Sequence, residues 1–121
     1  MMPPRIVGAG MGLEIELHSE RPARHGKKSR ATLIRGSYRH GEALARVLDM
    51  VHGTDSGRLA QVDPYGDTLW NEQEAQAVIE EASRLLRRCT QDAHRAAVDD
   101  LVVMLQLCAR TPGSHLWLMG D

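Results

Sequence analysis

Apolar and charged residues alternate from Leu13 to His18, a pattern typical of a half-buried β-strand. The glycines just before this segment resemble the start of a dinucleotide-binding motif, but that motif requires a helix after its glycines rather than a strand. We therefore predict no nucleotide site there. Met11 would serve as the start of the folded unit, so we expect residues 1–10 to be a flexible extension and residues 11–121 to be a single domain.

Helical spacing of apolar residues predicts three helices. The first covers residues 42–52, with Ser37 as a candidate cap and Gly53 as its stop. Asn71 and Glu74 have the spacing of a capping box and open a second helix that reaches Cys89. The third helix extends to residue 110, and its apolar interior, residues 101–108, should be the most buried element.

Short apolar segments at residues 31–35, 58–62 and 115–119 predict further strands. Strands and helices in this order favour the α+β class. We predict a small, mostly antiparallel sheet covered on one face by three helices, the last two of which form a helical hairpin.

Composition limits the class of protein. Apolar residues make up 42% of the chain and charged residues 26%, which excludes a disordered tail. No uninterrupted apolar run is long enough for a membrane span, and no secretory signal precedes the first strand, so we expect a cytoplasmic protein. Cys89 and Cys108 lie near the far ends of the two hairpin helices, roughly 25 Å apart at the helical rise, which excludes a disulfide between them.

The near-neutral net charge of −1 hides an asymmetry. Residues 1–60 carry ten basic and six acidic side chains, whereas residues 61–121 carry five and ten. A basic segment, residues 21–39, could bind an acidic protein partner or the phosphates of a nucleic acid. Its candidate binding residues are Arg21, Arg24, Lys27, Lys28, Arg30, Arg35 and Arg39. With aromatic residues at only 3% of the chain, platforms on which bases could stack are few.

A second candidate site is the segment 63–74, where oxygen-bearing side chains fall at positions 1, 5, 9 and 12 of a loop that ends in a helix. Calcium loops place their ligands at those positions. The candidate Ca²⁺ ligands are Asp63, Asp67, Asn71 and Glu74. The same residues also fit a β-turn at Asp63 followed by a helix cap at Asn71, so both interpretations stay open.

Known catalytic motifs are absent from the sequence. It contains no nucleophile elbow, no phosphate-binding P-loop and no zinc-binding pair of histidines on a helix. The sequence therefore favours a protein without catalytic activity or a resident cofactor, although folding can bring together a nucleophile and a base that lie far apart in the chain.

Three blocks together carry a resemblance: the first strand Gly12-Leu13-Glu14-Ile15-Glu16-Leu17, the segment Asp63-Pro64-Tyr65-Gly66-Asp67-Thr68 with Asn71, and the C-terminal His115-Leu116-Trp117-Leu118-Met119-Gly120-Asp121. In this order they resemble a group of small actinobacterial proteins without an assigned activity. The resemblance covers residues 11–121 and implies a stand-alone domain in a bacterial cytoplasm, with no activity to transfer.

Three hypotheses of function follow. The leading one is a non-catalytic protein-interaction module, a small regulator or inhibitor-type protein that binds another macromolecule through a charged surface. The second is a Ca²⁺-binding domain built on the 63–74 segment, and the third is an anion or nucleic-acid binder that uses the basic 21–39 segment. Self-association stays open as well, because a buried helix face and an interface face have the same apolar pattern.

Overall fold

The computed structural model describes residues 12–22, 31–54 and 57–120. Along these ranges, the regular elements are β1 (Glu14–His18), β2 (Leu33–Ser37), α1 (Gly41–Val51), β3 (Asp67–Asn71), α2 (Glu72–Arg88), α3 (Asp92–Arg110) and β4 (His115–Met119). A single 3-10 turn, Leu59–Gln61, connects α1 to β3. The predicted N-terminal extension, residues 1–10, lies outside the described residues.

The four strands form one antiparallel sheet in the order β2-β1-β4-β3. The last strand of the chain therefore lies inside the sheet, and β2 and β3 form its two edges. The three helices pack against one face of this sheet, where α2 and α3 lie side by side as a helical hairpin. The predicted α+β fold, with a mostly antiparallel sheet under three helices, is confirmed.

The alternation along β1 and β4 directs one set of side chains towards the helices. Ile15 lies opposite Leu118 and Leu17 opposite Leu116, and all four side chains are buried. Leucine, valine and methionine side chains of α1 and α3 cover them. Because the chain contains no phenylalanine, aliphatic packing supplies almost all of this core.

The third strand differs from the sequence-based prediction. Residues 58–62, predicted as a strand, form the 3-10 turn, and the strand lies instead at Asp67–Asn71 within the segment predicted as a loop. Periodicity cannot separate a short buried turn from a short strand, because Leu59, Ala60 and Val62 are buried in either case. Backbone pairing with β4 decides the matter, since it aligns Trp70 with Leu116 in the core.

The start of the first helix also differs. Ser37 belongs to β2, and α1 begins at Gly41, after His40, without a side-chain cap. The hydroxyl of Ser37 instead donates a hydrogen bond to the carboxylate of Asp100 on α3. This residue therefore fastens an edge strand to the helical layer.

The helical hairpin matches its prediction closely. Cys89, at the end of α2, and Cys108, in α3, are both free thiols, as expected from their separation. Cys108 is fully buried, and burial raises the pKa of its thiol, which favours the neutral form. None of the helices in the described ranges is long and apolar enough to cross a membrane.

Candidate functional site

The sheet face that points away from the helices carries polar side chains that are nonetheless buried. Glu16 and His18 alternate with the core residues of β1, so they lie on the opposite face from Ile15 and Leu17. Glu16 is only 3% exposed and His18 only 1%. Charged and titratable side chains are rarely this buried without partners, so their hydrogen bonds identify the site.

These two residues belong to a hydrogen-bonded chain of four side chains, which we call the β1–β2 polar network: Glu16, His18, Thr32 and Tyr38. Nε2 of His18 lies 3.0 Å from Oε1 of Glu16, and Nδ1 lies 2.8 Å from the Thr32 hydroxyl. The Tyr38 hydroxyl donates to Oε2 of Glu16 over 2.7 Å. Thr32 and Tyr38 flank β2, so the network fastens both ends of that strand to β1.

The carboxylate partner of His18 determines the role of Nε2. A carboxylate only accepts hydrogen bonds, so Nε2 carries the proton and donates to Glu16. Nδ1 faces the Thr32 hydroxyl, a group that can either donate or accept a hydrogen bond. On one side the His18 ring contacts the ring of Trp117, with 5.8 Å between the ring centroids. Both polar atoms and the aromatic surface of this histidine are therefore satisfied.

Glycine at position 36 is required for this arrangement. A Cβ atom on Gly36 would lie 2.2 Å from the Tyr38 hydroxyl oxygen and 2.4 Å from the ring carbon that bears it. The absence of a side chain lets the tyrosine ring lie across the β2 backbone and reach Glu16 on the neighbouring strand.

The order hydroxyl, imidazole, carboxylate is also that of a nucleophilic triad. Thr32 is half-buried, and neither of the two clefts described below is lined by any member of the network. A reacting group needs a substrate beside it, so this geometry supports a positioning role better than a catalytic one.

The predicted basic residues fall in two groups. Arg24, Lys27, Lys28 and Arg30 lie outside the described residues. Arg21, Arg35 and Arg39 are exposed, and none of them forms an ion pair within the described ranges.

Arg35 lies in the edge strand β2 and Arg39 just beyond its end, whereas Arg21 follows β1. The chain beyond β1 runs beside the start of β2, where the Ser19 amide donates to the Thr32 carbonyl over 2.8 Å. The extended segment from Thr32 to Arg39, which includes β2, spans roughly 20 Å. The pairing register shifts near His18, which leaves Ile34 as an extra residue in β2. Ile34 is 45% exposed and Tyr38 48%. We call the exposed residues Arg21, Ile34, Arg35, Tyr38 and Arg39 the β2 edge surface.

The predicted Ca²⁺ ligands have local structural partners. Oδ1 of Asp63 accepts the Tyr65 amide at 2.9 Å, and its carbonyl accepts the Gly66 amide at 3.1 Å, which is the expected β-turn. Asn71 and Glu74 form the predicted capping box of α2, whereas Asp67 is exposed at the start of β3. Across the described ranges, no three His, Cys, Asp or Glu side chains lie close enough together to hold a metal ion. The structure thus assigns three of the four residues to a turn and a cap, and Ca²⁺ binding stays a prediction.

The capping box leads to a stability prediction. The Asn71 side chain accepts from the Glu74 amide at 2.8 Å, and the Glu74 side chain accepts from the Asn71 amide at 2.9 Å. Asn71→Ala removes one of these bonds and should lower the free energy of unfolding by about 1 kcal/mol. Urea denaturation with and without Ca²⁺ measures this change. A loss that appears only with Ca²⁺ present would contradict the cap and support the metal hypothesis.

The β1–β2 polar network is the part of the site that the sequence did not reveal. Glu16 and His18 occupy the polar positions of an alternating strand, which normally face solvent. Their partners Thr32 and Tyr38 lie 14 and 22 residues further along the chain, respectively. Folding alone brings these residues together.

Two of the three blocks that carry the sequence resemblance meet at the other end of the sheet. The Gly120 amide donates to the Gly66 carbonyl over 2.7 Å, so the turn at residues 63–66 rests on the end of β4. Comparisons with protein families, curated proteins and solved structures found no match to this chain.

Proposed function

We propose that this protein is a non-catalytic interaction module, a small regulator or inhibitor-type protein, and that it binds an acidic protein partner at the β2 edge surface. The composition of that surface carries the proposal. Tyrosine and arginine are among the side chains most enriched in protein interfaces, and here they occur with an exposed isoleucine in and beside one edge strand.

The charge of the surface indicates the kind of partner. Arg21, Arg35 and Arg39 have no carboxylate partner within the described ranges, so their positive charge is available to an incoming molecule. Complementary charge raises the association rate and selects against basic partners. An acidic protein surface is favoured over a nucleic acid, because Tyr38 is the one aromatic side chain of the β2 edge surface on which a base could stack.

The buried network supports binding by holding the surface rigid. The Tyr38 hydroxyl is fixed by Glu16, and Thr32 at the other end of β2 is fixed by His18. A side chain that is already ordered loses less conformational entropy when a partner binds. The same bonds hold this short edge strand to β1 at both of its ends.

The test uses wild-type protein, Arg35→Glu/Arg39→Glu, and a control with the same change in net charge, Arg46→Glu/Arg110→Glu, at two exposed positions away from β2. Each protein is used as bait in an extract of the native cells at low and high salt. A captured partner is then purified and titrated. We expect an acidic protein in one-to-one ratio, bound at least about tenfold more weakly by the β2 variant and within about twofold of wild type by the control.

A smaller change separates the apolar contribution from the charge. Ile34→Ser should weaken the same complex without changing its salt dependence. Equal losses in the β2 variant and the control would show that binding depends on net charge alone, and capture of nucleic acid in place of protein would support the third hypothesis. An empty capture at low salt would refute the proposed function.

A further inference from the structure

A cleft of about 340 Å³ lies between the end of α1, the 3-10 turn and the last turns of α2. Its volume is at the lower end of the range for small-molecule sites. It shares no residue with the β2 edge surface or with the β1–β2 polar network.

The floor of this cleft is apolar. Leu59 and Ala60 of the 3-10 turn and Leu85 of α2 line it, and Val51 at the end of α1 completes it. The first three are at most 9% exposed, and Leu59 and Leu85 also belong to the hydrophobic core. A bound molecule would therefore rest an apolar body on this floor.

The rim of the cleft is positively charged. Arg84 and Arg88 are one turn apart on α2 and both line the cleft. Arg84 makes only a long surface contact of 3.8 Å with Glu80, and Arg88 has no ion pair in the described part of the chain. Glu81 is the acidic side chain among the described lining residues; its Oε1 accepts the Leu59 amide at 3.0 Å, and its carboxylate contributes one negative charge against the two arginines.

The end of α2 would ordinarily oppose an anion, because its free carbonyls carry partial negative charge. Here a third arginine reduces that effect. Nη1 of Arg95, on α3, lies 3.1 Å from the Cys89 carbonyl and 3.5 Å from that of Leu86. Among the described lining residues, two guanidinium groups, those of Arg84 and Arg88, therefore stand against the single carboxylate of Glu81, a net charge of +1.

A second cleft, beside β3, lacks this combination. It is lined by one arginine, Arg58, and by Glu74, whose carboxylate takes part in the α2 capping box. One cation and one carboxylate give no net preference for an anion.

We infer that the cleft at the end of α2 binds a small organic anion, with one carboxylate or phosphate group held by Arg84 and Arg88 and an apolar body on Leu59, Ala60 and Leu85. Arginine is suited to this task, because its planar guanidinium binds either kind of oxyanion through two parallel hydrogen bonds. This site is independent of the proposed partner surface.

The test is an NMR titration of the full ¹⁵N-labelled chain with three probes that share a phenyl ring: phenylacetate, phenyl phosphate and uncharged 2-phenylethanol. We expect saturable shifts at the amides of Leu59, Ala60 and Leu85, with a Kd of about 1 mM or tighter for at least one anion. 2-Phenylethanol should bind at least about tenfold more weakly, because it lacks the charged group. The stronger of the two anions identifies the head group.

Matched variants locate the site. Arg84→Gln/Arg88→Gln should weaken the better anion by at least about tenfold, while Arg87→Gln, an exposed arginine of the same helix turn that does not line the cleft, should leave it within about twofold. All three positions are exposed, so the fold is retained. The inference is overturned if neither anion shifts these amides, if 2-phenylethanol binds equally well, or if Arg87→Gln weakens binding as much as the double variant.

Discussion

Replacing His18 with leucine is expected to lower the free energy of unfolding by about 3 kcal/mol, because it leaves the buried Glu16 carboxylate without its imidazole partner. Glu16 is 3% exposed, so water cannot replace the lost hydrogen bond without opening the sheet. The Thr32 hydroxyl loses its imidazole partner at the same time. Urea denaturation followed by tryptophan fluorescence measures the change.

His115 provides the matched control, since it lies directly opposite His18 in the register of β1 and β4. Its Nδ1 is buried and has no hydrogen-bond partner among the residues that the structure describes. His115→Leu removes an unsatisfied polar atom, so it should be neutral or stabilising by up to about 1 kcal/mol. If the two substitutions lowered the free energy of unfolding equally, the β1–β2 polar network would contribute little to stability. The loss would then come from the packing of each histidine alone.

The second large effect is expected in the core of α3. Leu101 is 0% exposed and belongs to the cluster that joins this helix to the sheet. Leu101→Ala should cost about 3 kcal/mol, because it removes buried apolar surface and leaves a cavity that an aliphatic core fills only partly. Thermal and urea denaturation of the variant both test this value.

Val103, two residues further along the same helix, is 38% exposed and serves as the control. Val103→Ala should lower the free energy of unfolding by less than about 1 kcal/mol. The same variant tests whether a second copy of the chain covers this face of α3, because a covered valine would contribute more. A free energy of unfolding that depends on protein concentration and falls sharply in Val103→Ala would show that this face of α3 is an interface between copies. That result would contradict the description of Val103 as exposed to solvent.

The accuracy of the sequence-based predictions followed the strength of each local signal. α2 and α3 were predicted nearly to the residue, because long helical periodicity and the reciprocal cap at Asn71 and Glu74 are local properties of the chain. β1 and β4 were also predicted, since their apolar residues alternate or run continuously over a full strand. The strand at Asp67–Asn71 was missed, because its polar sequence becomes a strand only by pairing with β4.

The candidate site shows the same division. Exposure of Arg35 and Arg39 could be expected from their charge, and the basic segment was recognised for that reason. The burial of Glu16 and His18 could not be expected, because an alternating strand has the same sequence pattern whether its polar face meets water or protein. The cleft at the end of α2 was equally hidden, since Leu59 and Arg88 are separated by 29 positions and meet only across the fold.

By itself, the sequence determined the α+β class, the helical hairpin, the capping box and the aliphatic nature of the core. All of these depend on periodicity and capping, which act between residues a few positions apart. Only the tertiary structure decided which strands lie inside the sheet and which polar side chains are buried together. It also decided where two arginines meet the apolar floor of the cleft. Those properties arise from antiparallel pairing and packing between distant segments, and hydrogen-bond partners separated by 14 to 22 residues leave no pattern in the chain that joins them.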